Sequence, residues 1–119
     1  KIGGVEMSLG EMQRLFMKLL PRLIDKIYEE GYECSGGDLW SKLEYKSHKV
    51  NSNHYGRLAI DLNLFKDGVY LTDTMAHKTF GEYWESLHEL CRWGGRLNPK
   101  TGKSYGDGNH YSFEHEGRW

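Results

Sequence analysis

The chain has 119 residues, of which 38% are hydrophobic and 13% aromatic. That length predicts a single domain over residues 1–119, with one core in which bulky rings carry much of the burial. The 16 basic and 17 acidic side chains leave a net charge of −1, which argues against nucleic acid as a partner. Apolar runs are only a few residues long, so we expect no membrane span, and no secretory signal is recognisable.

An amphipathic helix is predicted near the start of the chain. Ser8 and Glu11 have the spacing of a capping box, in which the serine caps the helix and the glutamate reaches back to it. Apolar residues then recur at intervals of three and four, which predicts a helix of about twenty residues that ends at Gly31. Pro21 lies inside this stretch, and we expect a kink or a short interruption there because proline removes a backbone donor.

Short strands are predicted in the middle of the chain. Residues 31–37 indicate a turn with a short strand. From Leu58 to Phe65 apolar side chains alternate with others, so this stretch should be a strand with Asp61 on its less apolar face. Residues 66–68 then form a turn, from which residues 69–71 can return as a paired strand.

A second helix and a last strand complete the predicted elements. Phe80 to Trp93 is expected to be helical and to end at Gly94. Residues 96–108 are rich in glycine, asparagine and lysine, which is typical of a loop, and Tyr111 to Phe113 is a short strand. Together these elements predict an α+β fold, with a small antiparallel sheet packed against two to three helices.

Cys34 and Cys91 are the two cysteines of the chain. One disulfide between them is conceivable. An isolated pair without the pattern of a small secreted protein favours two free thiols instead.

Two histidines and two aspartates have a spacing that can hold a metal ion. His54 and Asp61 are seven residues apart, and Asp107 and His110 are three apart. Two imidazoles and one carboxylate can bind zinc and leave a fourth position open for water, as in catalytic sites. An extended chain from His54 to Asp61 would span more than about 20 Å, so the chain must fold back, and Gly56 is where a turn costs least. A surface histidine and a turn-forming aspartate are the alternative interpretation of this spacing.

The motifs around these residues resemble a family of zinc peptidases. Ser-x-His is followed by Ala-Ile-Asp-Leu-x-Leu-Phe, then by Trp-Glu in the second predicted helix, Trp-Gly-Gly-Arg and Asp-x-x-His. This pattern is similar to peptidase family M15, which holds D-Ala-D-Ala carboxypeptidases and dipeptidases, and the phage endolysins that cut between L-alanine and D-glutamate. The matching residues are Ser52, His54, Ala59, Ile60, Asp61, Leu62, Phe65, Trp84, Glu85, Trp93, Gly94, Gly95, Arg96, Asp107 and His110.

The resemblance implies a fold, a cofactor and residue roles. It implies a hedgehog/D-Ala-D-Ala-peptidase-like fold in which His54, Asp61 and His110 bind Zn2+. Asp107 would be the general base and later the general acid. Zinc lowers the pKa of its bound water from about 15.7 towards about 7, and Asp107 would take the proton of that water and pass it to the leaving amine.

Departures from the family pattern concern substrate binding. Many members have glycine three residues after the first histidine, where this chain has Arg57 and places Gly56 one residue earlier. Many also have an arginine that binds a substrate carboxylate or the oxyanion, and the corresponding position here is Ser41. Lys42 or Arg57 could supply the missing cation. Ser52 is a candidate to hydrogen-bond substrate near the site, with loop capping as the alternative.

The expected function is hydrolysis of peptide bonds in peptidoglycan stem peptides, by L-alanyl-D-glutamate endopeptidase or D-Ala-D-Ala carboxypeptidase action. We expect a monomer, either a phage protein made in the host cytoplasm that acts on the cell wall, or a bacterial cell-wall hydrolase. The absent arginine motivates an alternative, a non-catalytic wall- or virion-binding module that retains the same fold. A metal-free structural domain is a third interpretation.

The remaining histidines are expected to take no part in the metal site. His48, His77 and His88 have no partner at ligand spacing and are predicted to be surface or helix residues. His115 could line the cleft or replace a ligand, and a non-ligand role is favoured. Glu85 could hydrogen-bond a metal ligand, or lie exposed on its helix.

Overall fold

A computed structural model describes residues 7–37 and 58–119 of the chain. In these ranges the protein has an α+β architecture, in which two α-helices and a short 3₁₀ helix accompany a small antiparallel sheet. The helices are α1 (Leu9–Glu29), a 3₁₀ helix (Thr74–His77) and α2 (Lys78–Leu87). The strands are β1 (Glu33–Gly36), β2 (Ala59–Lys66), β3 (Val69–Leu71), β4 (Cys91–Trp93) and β5 (His110–Phe113).

Helix α1 begins at the capping box that the sequence predicts. Ser8 Oγ accepts the backbone N–H of Glu11 at 3.1 Å, and the Glu11 carboxylate accepts the N–H of Ser8 at 3.0 Å. Two N–H groups that no helical carbonyl can reach are thereby satisfied. The helix continues through Pro21 without the predicted interruption. The carbonyl that loses its partner there belongs to Met17, which is exposed, so water can replace the missing donor.

Strands β2 and β3 form a hairpin around Asp67 and Gly68. Lys66 and Val69 are strand partners on either side of these two residues. Asp67 and Gly68 have φ angles of 51° and 78°. A type I′ turn requires positive φ at both central positions, and Asp-Gly is a preferred pair for it. The predicted turn and its return strand are therefore confirmed.

Strand β2 is the centre of the sheet. It pairs with β1, β3 and β5, while β4 pairs with the far side of β5, and all pairs are antiparallel. Leu64 has partners in both β1 and β3, so these two strands lie on opposite edges of β2. Strand β5 adjoins residues 59–61 of β2, and β3 adjoins residues 64–66. A gap therefore separates β3 from β5 beside residues 62 and 63.

The helices cover one face of the sheet. Phe16 of α1 packs edge-on against Trp84 of α2 and Phe113 of β5, with ring centroids 5.5 and 5.4 Å apart. Alternate side chains of the stretch that leads into and forms β2 enter the same core, as the sequence predicts. These side chains are Leu58, Ile60, Leu62 and Leu64, each at most 6% exposed. Asp61 and Asn63 alternate with them and are half-buried on the opposite, open face.

The second α-helix is shorter than the sequence predicts. Helix α2 ends at Leu87, and the backbone of His88 is extended, with φ −164° and ψ 152°. The last part of the predicted helix, Cys91–Trp93, is strand β4 instead. Cys91 and Trp93 are buried on either side of the half-buried Arg92, and β4 pairs with β5. Cys91 continues the helical spacing of Leu87 and Leu90, whereas Cys91 and Trp93 alternate as a strand requires, and pairing with β5 selects the strand.

Both cysteines are free thiols, as the sequence predicts. Burial raises the pKa of Cys91 to about 12, and burial also raises the pKa of Cys34. Neither is therefore a reactive thiolate at neutral pH. Within residues 7–37 and 58–119, none of the helices combines the length and the apolar character that a membrane crossing requires.

We predict opposite effects of alanine at two helical glycines. A Cβ at Gly81 would overlap the indole ring of Trp93, so Gly81→Ala should lower the free energy of unfolding by about 1–3 kcal/mol through overpacking. A Cβ at Gly10 would have its nearest neighbour, the Arg14 guanidinium, 3.5 Å away. Gly10→Ala should therefore raise the free energy of unfolding by up to about 1 kcal/mol through helix propensity. Urea unfolding followed by circular dichroism measures both, and a neutral Gly81→Ala would contradict the close packing of α2 on β4.

Candidate functional site

The register of β2 and β5 places Asp61 directly opposite His110, 49 positions away in sequence. The carbonyl of Asp61 accepts the N–H of Gly37 at 2.7 Å, and the carbonyl of His110 accepts the N–H of Gly94 at 2.8 Å. Both residues thus direct their backbone hydrogen bonds away from each other. They form a non-hydrogen-bonded pair, the kind of antiparallel pair in which the two side chains lie closer together.

The two side chains meet through an oxygen and a nitrogen. Asp61 Oδ1 and His110 Nδ1 are 3.2 Å apart, and the side chains are 23% and 11% exposed. Two ligands of one tetrahedral zinc ion, each about 2.0–2.2 Å from the metal, are about 3.3–3.6 Å from each other. The pair is therefore close to the separation of two adjacent zinc ligands, and a plain hydrogen bond between them has a similar length. Carboxylate and imidazole are both donors that zinc accepts.

Asp107 precedes His110 in a tight turn. The N–H of His110 donates to the carbonyl of Asp107 at 3.1 Å. This is the hydrogen bond of a β-turn, whose first and last Cα atoms are within about 7 Å of each other. Asp107 is exposed, whereas His110 is buried. The predicted proton carrier thus lies within one turn of a predicted ligand and is open to solvent.

Two glycines let the chain pack closely around this turn. A Cβ at Gly94 would overlap the carbonyl oxygen of Asp107 and approach His110 Cβ to 2.9 Å. A Cβ at Gly108 would come within 2.6 Å of Thr74 Cα. A side chain at either position would therefore push the turn away from β4 or from the 3₁₀ helix.

Trp93 ties the turn to β4 and α2. Its Nε1–H donates to the carbonyl of Gly108 at 2.7 Å, and its backbone N–H donates to Glu85 Oε2 at 2.9 Å. The same Glu85 oxygen is 3.4 Å from Arg96 Nε. Glu85 therefore anchors β4 to α2, a role that sequence reasoning missed.

His77 is a helix residue, as predicted, but it is buried rather than on the surface. It ends the 3₁₀ helix, is 3% exposed, and its Nδ1 is 2.8 Å from the hydroxyl of Tyr111. A buried phenol O–H needs an acceptor, and Nδ1 supplies one, so the ring proton of His77 is assigned to Nε2. Burial lowers the pKa of His77 to about 4 and raises the pKa of Tyr111, so both groups are neutral at pH 7.

A cleft of about 130 Å³ opens beside Asp107. It lies where the partner of β2 changes from β3 to β5, and its lining is mostly polar. The alternation along β2 could have indicated that Asn63 shares a face with Asp61. The other lining residues come together only through strand pairing and the 3₁₀ helix. The lining residues include Asn63, Tyr70, Thr72, His77, Asp107 and Asn109.

Three predicted site residues, Ser52, His54 and Arg57, lie outside the described residues. Asp61 and His110, the two predicted ligands that are described, lie in contact. In the described ranges, no three histidine, cysteine, aspartate or glutamate side chains are grouped as a metal site would require. The predicted set needs His54 as its third ligand, so zinc stays a prediction.

The remaining histidines have partners of their own. His115 Nε2 is 3.5 Å from Glu116 Oε1, and the backbones of His115 and Arg118 exchange two hydrogen bonds. His88 Nδ1 accepts the N–H of Leu90 at 3.1 Å just after α2. The non-ligand roles expected of both stay predictions. His48 lies outside the described residues.

Comparison with known proteins adds no family to this picture. No protein-family model matches the chain, and no curated protein matches it significantly. The resemblance to zinc peptidases therefore depends on the motifs themselves and on how the fold arranges them.

Replacing Trp93 by phenylalanine should weaken the turn. Trp93→Phe keeps an aromatic ring in the core and removes the N–H that the carbonyl of Gly108 accepts. We expect the free energy of unfolding to fall by about 1–2 kcal/mol, because a buried carbonyl loses its donor. Urea unfolding measures the loss. Trp119→Phe is the control, since that ring is half-buried against Tyr105, and a cost there as large as that of Trp93→Phe would contradict the assigned role.

Stability should fall as pH drops from about 6.5 towards 4, because His77 takes up its proton less readily when folded. Between these values the unfolded chain binds more protons than the native protein. The contribution of His77 to the free energy of unfolding is fully present above pH 6.5, and up to about 3 kcal/mol is lost as pH falls to 4. His77→Gln should remove this part of the pH dependence. Urea unfolding at a series of pH values tests it, and an unchanged slope in His77→Gln would contradict the assignment.

Proposed function

We propose that this protein is a zinc peptidase that hydrolyses peptide bonds in peptidoglycan stem peptides. The observation that carries the proposal is the 3.2 Å approach of Asp61 Oδ1 to His110 Nδ1. It joins two of the three predicted ligands at close to the distance expected between ligands of one ion. With His54 as the third ligand, two imidazoles and a carboxylate would leave one position for water. When bound, zinc would supply an activated water near neutral pH and polarise the scissile carbonyl.

Asp107 is the proposed proton carrier. It is exposed, it lies one turn before His110, and it lines the cleft. A carboxylate in that position can take a proton from the attacking water and deliver it to the leaving amine. Gly94 and Gly108 hold the backbone of this turn against its neighbours, which limits how far the carboxylate can move from His110.

We extend the proposal to the type of fold, which would be hedgehog/D-Ala-D-Ala-peptidase-like. Helices on one face of a small antiparallel sheet, with two candidate ligands on adjacent strands of the other face, support this assignment. The partner would be a stem peptide of the bacterial wall, cut as an L-alanyl-D-glutamate endopeptidase or a D-Ala-D-Ala carboxypeptidase cuts it.

A non-catalytic wall- or virion-binding module is the second candidate. The observation in its favour is that, among the described residues, no lysine or arginine lines the cleft beside Asp107. A hydrolase of this kind is expected to place a cation near the substrate carboxylate or the oxyanion. Such a module would bind the stem peptide and release no amine.

Asp107→Asn tests the proposal because it preserves the size of the side chain and removes the carboxylate that would act as the base. Turnover of a purified stem peptide should fall by about 10²–10⁴-fold, while zinc content by elemental analysis stays the same. Asp67→Asn is the matched control. Asp67 is an exposed turn residue with φ 51°, a conformation that asparagine also adopts, so turnover should not change.

Release of peptide amines, measured with added zinc and with a chelator, separates the alternatives. Hydrolysis that survives chelation would contradict the role of zinc. Peptide binding without amine release by the zinc-loaded protein would favour the non-catalytic module. Failure of the purified protein to take up zinc would contradict the proposed metal site.

A further inference from the structure

The cleft lies at the gap between β3 and β5, and its lining includes Asn63 from the open face of β2 and His77, which contacts Tyr111 of the core. Asn63 is two positions along β2 from Asp61, so the two side chains share a face and are separated by about 7 Å along the strand. Asp107 lies at another side of the same cleft. The cleft therefore adjoins two of the residues that the proposed function uses.

The lining of this cleft is polar and carries little charge. Asn63 and Asn109 contribute side-chain amides, and His77 contributes an imidazole that burial keeps neutral at pH 7. Among the described residues of the lining, Asp107 is the one acid, and there is neither lysine nor arginine. Within the described part of this lining, a ligand carboxylate would meet the like charge of Asp107 and neither lysine nor arginine. A carboxamide would find both hydrogen-bond donors and acceptors.

The size and the rigidity of the cleft fit one small group. A volume of about 130 Å³ corresponds to about four water molecules, which is room for one amide-bearing residue. His77 is fixed by the 2.8 Å contact of its Nδ1 with the hydroxyl of Tyr111. Tyr70 is held against Phe65, its partner across the hairpin, with ring centroids 5.4 Å apart. Walls fixed in this way need little reordering when a ligand enters.

We propose that this cleft is a subsite that binds an uncharged carboxamide of the peptide substrate through Asn63, His77 and Asn109. The Nε2–H of His77 donates to the carboxamide oxygen, and the side-chain amides of the two asparagines form further hydrogen bonds with the carboxamide. The half-exposed ring of Tyr70 packs over the bound residue. The spacing from Asp61 puts this residue about one or two positions from the bond that is cut. The inference rests on the proposed function and names a substrate group for the same site.

Two synthetic stem peptides test the subsite. They are identical except that the residue after the scissile bond carries a carboxamide in one and a carboxylate in the other. The protein should hydrolyse the carboxamide peptide with a kcat/KM higher by about tenfold or more. Equal rates, or preference for the carboxylate, would overturn the subsite and leave the peptidase standing.

Variants of the lining show where the preference arises. Tyr70→Ala and Asn63→Ala should each reduce it to about threefold or less. Val69→Ala is the matched control, because Val69 precedes Tyr70 in β3, points to the opposite face and is 60% exposed. The preference should survive in that variant. A preference that survives equally in all three variants would place its origin outside this cleft.

Nuclear magnetic resonance separates binding from catalysis. The side-chain NH₂ signals of Asn63 and Asn109 should shift on titration with the carboxamide peptide and stay in place with the carboxylate peptide. Shifts without turnover would overturn the peptidase and leave the subsite intact. Turnover without these shifts would overturn the subsite alone.

Discussion

The register between β2 and β5 is the constraint on which the rest of the site depends. A slip by one residue would turn Asp61 into the core and carry its apolar neighbours to the open face. Four core side chains of this stretch, each at most 6% exposed, resist such a slip, since burying one is worth about 1.5–3 kcal/mol. The Asp61–His110 contact itself contributes only about 1 kcal/mol. The core therefore positions the polar pair, and the pair contributes little to its own placement.

Asp107 is also positioned by its surroundings, in this case by close packing of the backbone around its turn. The turn that carries it is enclosed by β4 on one side and the 3₁₀ helix on the other, at the two glycines where a Cβ would not fit. Trp93 connects this turn to the core, because one indole both packs among buried residues and donates to Gly108. The exposed carboxylate is thus positioned by a buried ring that donates one hydrogen bond to Gly108, the next residue of the chain.

The parts of the fold that could be predicted are those specified by local chemistry. The capping box of Ser8, the Asp67-Gly68 turn and the alternation along β2 each act through a few neighbouring residues. The sequence predicts helix at β4 because Cys91 continues the helical spacing of Leu87 and Leu90, and only the pairing with β5 selects the strand. The burial of His77 and the cleft were missed because they depend on which elements pack together. The contact of Asp61 with His110 could be predicted from the motifs, whereas its geometry required the register.

Strand β5 links the core to both sides of the candidate site. Successive residues of a strand point to opposite faces, so Tyr111 enters the core while His110 faces Asp61. Tyr111 in turn fixes His77, whose ring lines the cleft. Because burial keeps that imidazole neutral at pH 7, His77 can donate a hydrogen bond there without adding charge to the cleft. One strand thus serves two parts of the proposed site, since Tyr111 fixes the neutral His77 on the core side and His110 contacts Asp61 on the open face.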